Sequence, residues 1–385
     1  MSFRIGIDTG LFPASDHGGL AVYRRELVRA LADTPGDHRL ILYGHRPPVP
    51  AGVAGDRVEV RDLGEARAAR VPGAFRQVLL PAAARRDALD VVHFPLGGAS
   101  LGRIAPSVVS VHDLLCVLSP TLDYPVALRG LGFRLRKRWH RHAIPASLAR
   151  ADRLLASSEA TRDDLVRLLG VAPERISVAP LAAAPTFATR PSRREIAAFL
   201  GARGLPRDYL LALSSIDPRK NAHRVIDAYA KLPSGLRASH ALVILLTQGT
   251  YARSLKARAD RLGIGYRVAL VPHLDERELP LLYAGAAALA FPSLFEGFGL
   301  PVLEAMSLAV PVVTSRVGGL PEVGGDAVDY VDPRDPGSIA AALERVLADY
   351  PHAELMREAG AARAARFSWE RTAALTLDAY RAVCT

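Results

Sequence analysis

The sequence predicts an α/β protein made of two Rossmann-like domains on parallel sheets. Three observations carry this. Short β-like runs alternate with longer amphipathic segments along the chain. The scheme of the first half returns in the second. Each half of the 385 residues is long enough to bury a core of its own.

Taken in order, strands are expected over residues 3–8, 39–43, 91–94, 107–112, 153–156 and 176–178, with a helix over 19–32. The second half repeats them over 209–214, 241–246, 268–270, 288–291, 312–314 and 328–331. Strands that alternate with helices form parallel sheets covered on both faces. Residues 180–207, rich in Pro, Ala and basic side chains with weak periodicity, mark the boundary. The expected domains are 1–185 and 186–366, and residues 367–385 carry a last helix that Ser368 can cap.

Composition narrows the classes. Two cysteines, Cys116 and Cys384, make neither a disulfide framework nor a zinc site, and suit a reducing, cytoplasmic setting. The opening MSFRIGIDTG reads as a strand, without the apolar stretch of a signal peptide. The longest apolar run, residues 279–291, is short of a bilayer span and is broken by Pro280 and Gly285. The net charge of +10 is uneven: residues 1–190 hold 26 Lys and Arg against 18 Asp and Glu, so +8, and the remainder 23 against 21, so +2. The basic half fits an anionic partner, either a phosphorylated acceptor or the inner face of an anionic membrane; the alternative is a basic surface without a ligand. No nucleic-acid-binding module is present.

The most informative stretch is FPSLFEGFGLPVLEA, residues 291–305. It passes from a strand through Glu296 and a Gly-Phe-Gly turn into a helix whose first turn holds Pro301 and whose body holds Glu304. Glycines let backbone approach a ligand, and open N–H groups of a first helical turn suit a diphosphate. Carboxylates accept several bonds from sugar hydroxyls. Two glutamates eight apart are otherwise an ordinary solvated helix face; here they lie in an apolar stretch. A second stretch, LSSIDPRKNA over 213–222, sets Arg219 and Lys220 after a strand and a proline turn. Such a pair can neutralise a departing diphosphate without a divalent ion, and the chain has no Asp-x-Asp motif to hold one. A plain surface turn is the competing reading. No cofactor or resident metal is expected.

The Glu-x7-Glu spacing of Glu296 and Glu304, with FPSLFEGFGLPVLEAM and the following PVVTSRVGGLPEV, closely resembles the retaining glycosyltransferases of family 4. That resemblance implies the GT-B fold: two Rossmann-like domains facing a cleft, the last helix crossing back to the first. It implies transfer of a hexose-like unit from a nucleoside diphosphate sugar, with the donor on the second domain and the acceptor on the first. Glu296 would hold hydroxyls of the donor sugar. Backbone N–H groups of Phe298, Gly299 and Leu300 would contact sugar and phosphate, and Glu304 the ribose. His273 and Leu274 would run beside the base. The family also has Pro-Arg-Lys-Asn here; an arginine that several members carry just before it is absent near Ser214-Ser215, which shifts weight onto Arg219.

In the first half, the loop DTGLFPASDHGG ends on Gly18-Gly19 at a helix start and would present N–H groups to phosphate. It lacks the Gly-x-Gly-x-x-Gly fingerprint, which disfavours a dehydrogenase. His112 and Asp113 close a buried-type strand, where open α/β sheets place ligands, and resemble the family's His-Asp motif. A lone histidine is otherwise more often structural. Residues 128–150 interleave Arg134, Lys137 and Arg141 with aromatic side chains, as a membrane-facing or acceptor-steering segment does, and as a solvated helix also does. Expected acceptors are a polysaccharide, a lipid-linked intermediate or a small natural-product scaffold. A nucleotide-sugar epimerase and a non-catalytic sugar-binding protein are the alternatives.

Overall fold

The computed structural model describes residues 2–10, 18–47, 49–50, 53, 56–63, 75–114, 142–214, 218–246 and 251–384. Its contacts divide the chain into two units. One holds Ala183–Phe367; the other holds the described residues before Ala183 together with residues 368–384.

The first unit is built on a seven-stranded parallel sheet of order β3-β2-β1-β4-β5-β6-β7. The strands are β1 Arg4–Gly10, β2 Arg39–Gly44, β3 Val58–Asp62, β4 Val91–Phe94, β5 Ser107–Val111, β6 Arg153–Ala156 and β7 Ile176–Val178. Its central strands are near-continuous apolar runs because helices cover both faces. β3 is the strand that sequence periodicity did not reveal. It reads VEVRD, lies at the sheet edge and buries only Val58, so it shows no apolar run. The helix Gly19–Asp33 packs with the C-terminal helix Trp369–Cys384, which also meets β4, β5, β6 and β7. Ser368 starts that last helix, its hydroxyl accepting from the Arg371 N–H at 3.2 Å.

The second unit has a six-stranded parallel sheet of order β10-β9-β8-β11-β12-β13. Its strands are β8 Tyr209–Ser214, β9 Ala241–Leu246, β10 Val268–Val271, β11 Ala288–Phe291, β12 Val312–Ser315 and β13 Asp329–Val331. Every residue of β8, β9, β11 and β12 is buried. The helices Ala222–Lys231 and Pro336–Ala348 close one core with Leu210, Ile244, Val313 and Leu343. No helix among the described residues is long and apolar enough to cross a membrane.

Candidate active site

Each sheet reverses its strand order once, the second between β8 and β11. Loops leave in opposite directions at such a point and open a crevice outside the C-terminal strand ends. Beyond β8 lies the 3-10 turn Pro218–Lys220; from β11 runs the loop to Gly299. There Lys220 Nζ donates to Glu296 Oε1 at 2.7 Å, with both side chains mostly buried. The Ser293 hydroxyl lies 2.8 Å from the same carboxylate oxygen and 2.9 Å from the Arg219 carbonyl, so its one proton serves either. The Leu294 N–H donates to that carbonyl at 2.8 Å. One backbone bond and the Ser293 hydroxyl therefore hold the cationic turn to the acidic loop beside the ion pair. The Lys220 ammonium also stands 4.6 Å from the centre of the Phe291 ring.

The glycine turn meets a second one. Gly299 has φ +116°, left-handed backbone that favours glycine, and starts the helix Leu300–Ser307. Pro301 occupies the first turn and no side chain caps it. Gly319 N–H donates to the Glu296 carbonyl at 2.9 Å. A Cβ on Gly318 would overlap that carbonyl, and one on Gly319 would overlap the Gly297 carbonyl. The two turns touch backbone to backbone, which only glycine permits. Phe298 is buried edge-on to Phe367, ring centres 5.9 Å apart, and fixes the turn from below.

Glu304 stands on the same helix, hydrogen-bonded to the Tyr283 hydroxyl of the helix Leu279–Ala284. Burial raises its carboxyl to about 7; the Tyr283 bond and the charge of Lys220 oppose that rise and Glu276 adds to it. Lys220 thus acts on both glutamates. His273 is exposed and Leu274 buried just after β10, the edge strand.

In the first unit, His112 and Asp113 follow β5. His112 Nε2 lies 2.9 Å from the Pro95 carbonyl. A carbonyl only accepts, so Nε2 carries the proton and Nδ1 is an acceptor in the neutral ring. Burial lowers the His112 pKa, against the pull of the Pro95 carbonyl and Asp113, so the neutral ring is favoured. Gly19 opens the helix Gly19–Asp33, again with no side-chain cap. Arg134, Lys137 and Arg141 lie outside the described residues. Among the described residues no group of three or more His, Cys, Asp or Glu side chains converges on a metal position. A cavity of about 160 Å³ opens away from these residues, beside the N-terminal ends of β5 and β6, lined by Ile104, Arg150 and Asp152.

Two family models match the chain: Glycosyltransferase Family 4 over residues 17–184 and Glycosyl transferases group 1 over residues 199–363. The O-antigen chain mannosyltransferase B of Escherichia coli is 30% identical over 298 residues, 77% of this chain and 76% of that protein. The D-inositol 3-phosphate glycosyltransferase of Xylanimonas cellulosilytica is 33% identical over 400 residues, 95% of this chain and 92% of that protein. The chain belongs to glycosyltransferase family 4. Its activity is hexosyl transfer. The solved sucrose-phosphate synthase of Thermosynechococcus elongatus superposes on the transferase with a TM-score of 0.76 over 99% of this chain and 98% of that one, at 20% identity. The transferase has the GT-B fold.

Four residues of the transferase join the crevice without having been singled out from its sequence. Ser293 bonds Glu296. Asn221, at φ +62°, donates its amide to the Pro292 and Pro333 carbonyls at 2.9 and 2.6 Å, tying the cationic turn to two loops. Gly318 and Gly319 seat the glutamate loop. The available signal was local: Asn221 follows the Arg-Lys pair directly, and Gly318-Gly319 is a turn pair inside the family-like stretch.

Proposed function

We propose that the transferase binds its donor, a nucleoside diphosphate hexose, at the β8/β11 crevice and transfers the hexose with retention to a hydroxyl of an anionic or membrane-associated acceptor. The observation that carries this is the Lys220–Glu296 pair beside the uncapped helix Leu300–Ser307. It sets a cation and an acceptor of sugar hydroxyl bonds next to N–H groups that suit phosphate. Arg219 and Lys220 neutralise the diphosphate as it leaves. Glu296 holds sugar hydroxyls, Phe298, Gly299 and Leu300 give backbone N–H groups, and Glu304 binds the ribose. His273 and Leu274 flank the base, Gly19 supports phosphate, and the Nδ1 acceptor of His112 orients a hydroxyl near the reacting carbon.

The bond from the anomeric carbon to the phosphate oxygen breaks, and the acceptor oxygen bonds that carbon on the same face. The acceptor proton passes to the departing diphosphate, so no side-chain base is required; positioning and charge stabilisation lower the barrier. The basic excess of residues 1–190 supports an anionic acceptor or surface. The test is transfer measured with excess chelator, together with Arg219→Ala. Activity should survive the chelator, and the substitution should cut turnover by ~10²-fold. Loss of activity restored by magnesium would overturn the metal-free route, and a normal Arg219→Ala rate would remove Arg219 from it.

A further inference from the structure

A chain of four polar side chains runs through the core of the first unit. The Tyr23 hydroxyl lies 2.7 Å from Ser110 Oγ, Ser110 Oγ lies 2.7 Å from His93 Nε2, and His93 Nδ1 lies 2.6 Å from the Tyr380 hydroxyl. All four residues are at most 2% exposed. They come from four elements: the helix Gly19–Asp33, β5, β4 and the helix Trp369–Cys384. The chain ends beside the candidate site. The ring of Tyr23 meets the ring of His112 at 4.5 Å between centres and 76° between planes. His112 is two residues beyond Ser110 on the same sheet face, and its Nε2 bonds Pro95, two residues beyond His93.

An apolar core needs none of this. Phe, Ala and Leu would fill the same volume without four groups that must be satisfied together. What the bonds add is direction. A tyrosine ring held only by packing keeps some freedom about its side-chain torsions, whereas one tethered at its hydroxyl has a fixed plane. Burial holds the His93 imidazole neutral, so it has one N–H and one acceptor nitrogen, and all three contacts can be made with the protons running in either direction.

We propose that Tyr23 is a positioning residue for His112, held by the chain Tyr23–Ser110–His93–Tyr380, so that the C-terminal helix acts on the reaction through Tyr380. This rests on the role given to His112 above. Tyr23→Phe keeps the ring and removes the tether; Tyr380→Phe breaks the far end, about as conservatively as a buried site allows. Each should lower kcat by roughly 3- to 10-fold, a small loosening of a positioned group. The KM for the donor and the melting shift given by nucleoside diphosphate should stay unchanged. The double variant should be no slower than the slower single one, because both cut one chain. The His112 ring signal in NMR should move in Tyr380→Phe, which touches no atom of His112.

Multiplying losses in the double variant, or a His112 signal unmoved by Tyr380→Phe, would overturn the proposal. If Tyr380→Phe does not fold, Ser110→Ala interrupts the chain at its centre and is read the same way. His112→Ala separates the two layers. If it leaves kcat intact, the role of His112 falls, while the NMR signal still decides whether the chain positions its ring.

Discussion

At the residue scale the site depends on what surrounds two glutamates. Glu296 sits against Lys220 and Ser293; Glu304 sits against Tyr283 and has its carboxyl raised from 4.5 to about 7 by burial. Ribose hydroxyls donate to a carboxylate. If Glu304 binds ribose as proposed, the free protein loses its binding form below pH 7, and nucleoside diphosphate affinity should fall about fivefold between pH 7 and pH 6. The stability sign is the reverse. Between 4.5 and 7 the folded state holds a proton that the unfolded chain has released, so this group favours folding toward the acid side of that window and loses that contribution as pH rises through 7. Titration calorimetry across pH 5.5–8 on wild type and Glu304→Gln checks the affinity, where the glutamine should give a flat and weaker profile, and thermal melting over the same range checks the stability. Glu296→Ala should leave binding of the free nucleotide nearly intact and impair transfer, each lost charged bond costing ~1.5–3 kcal/mol. Equal losses of nucleotide affinity from Glu296→Ala and Glu304→Ala would contradict the division between sugar and ribose.

At the element scale the crevice is made by loops pressed against each other. Gly318 has φ +52° and its α-carbon faces the Glu296 carbonyl with no room for a methyl group. Gly318→Ala must both strain that backbone and push the Glu296 loop away. It should cost about 2 kcal/mol or more of stability and abolish the melting shift given by nucleoside diphosphate. Gly201→Ala is the control: that glycine has nothing near its Cβ position, so the change should be harmless. Scanning calorimetry with and without nucleotide reads both. A Gly318→Ala protein that melts and binds like wild type would mean the two turns are not seated as described.

At the scale of the whole molecule the charge is lopsided, +8 in residues 1–190 and +2 in the rest. If that excess draws in an anionic acceptor or surface, Arg134, Lys137 and Arg141 changed together to Gln should raise the acceptor KM and leave donor affinity alone. The defect should shrink at high salt, where screening already weakens the wild-type attraction. It should vanish with a neutral soluble acceptor. Acceptor kinetics and liposome binding at low salt measure it, and no change in either would make the segment an ordinary solvated surface.

The sequence by itself determined the two parallel sheets and nearly all their strands, because strands buried on both faces are apolar throughout and stand out from the helices around them. It failed at β3, an edge strand with one face in solvent. It also singled out Glu296 and Glu304, since carboxylates in an apolar, glycine-broken stretch have few structural uses, and Arg219 and Lys220, paired cations after a strand and a proline turn. Only the tertiary structure decided that Lys220 pairs with Glu296, that Glu304 is raised by burial beside Tyr283, and that Gly318 seats the loop. Those pairings join residues 76 apart, in the case of Lys220 and Glu296, and no local pattern encodes them. The chain from Tyr23 to Tyr380 is the extreme case. Its members read singly as core residues, and they become one hydrogen-bonded unit only when the C-terminal helix packs beside β4 and β5.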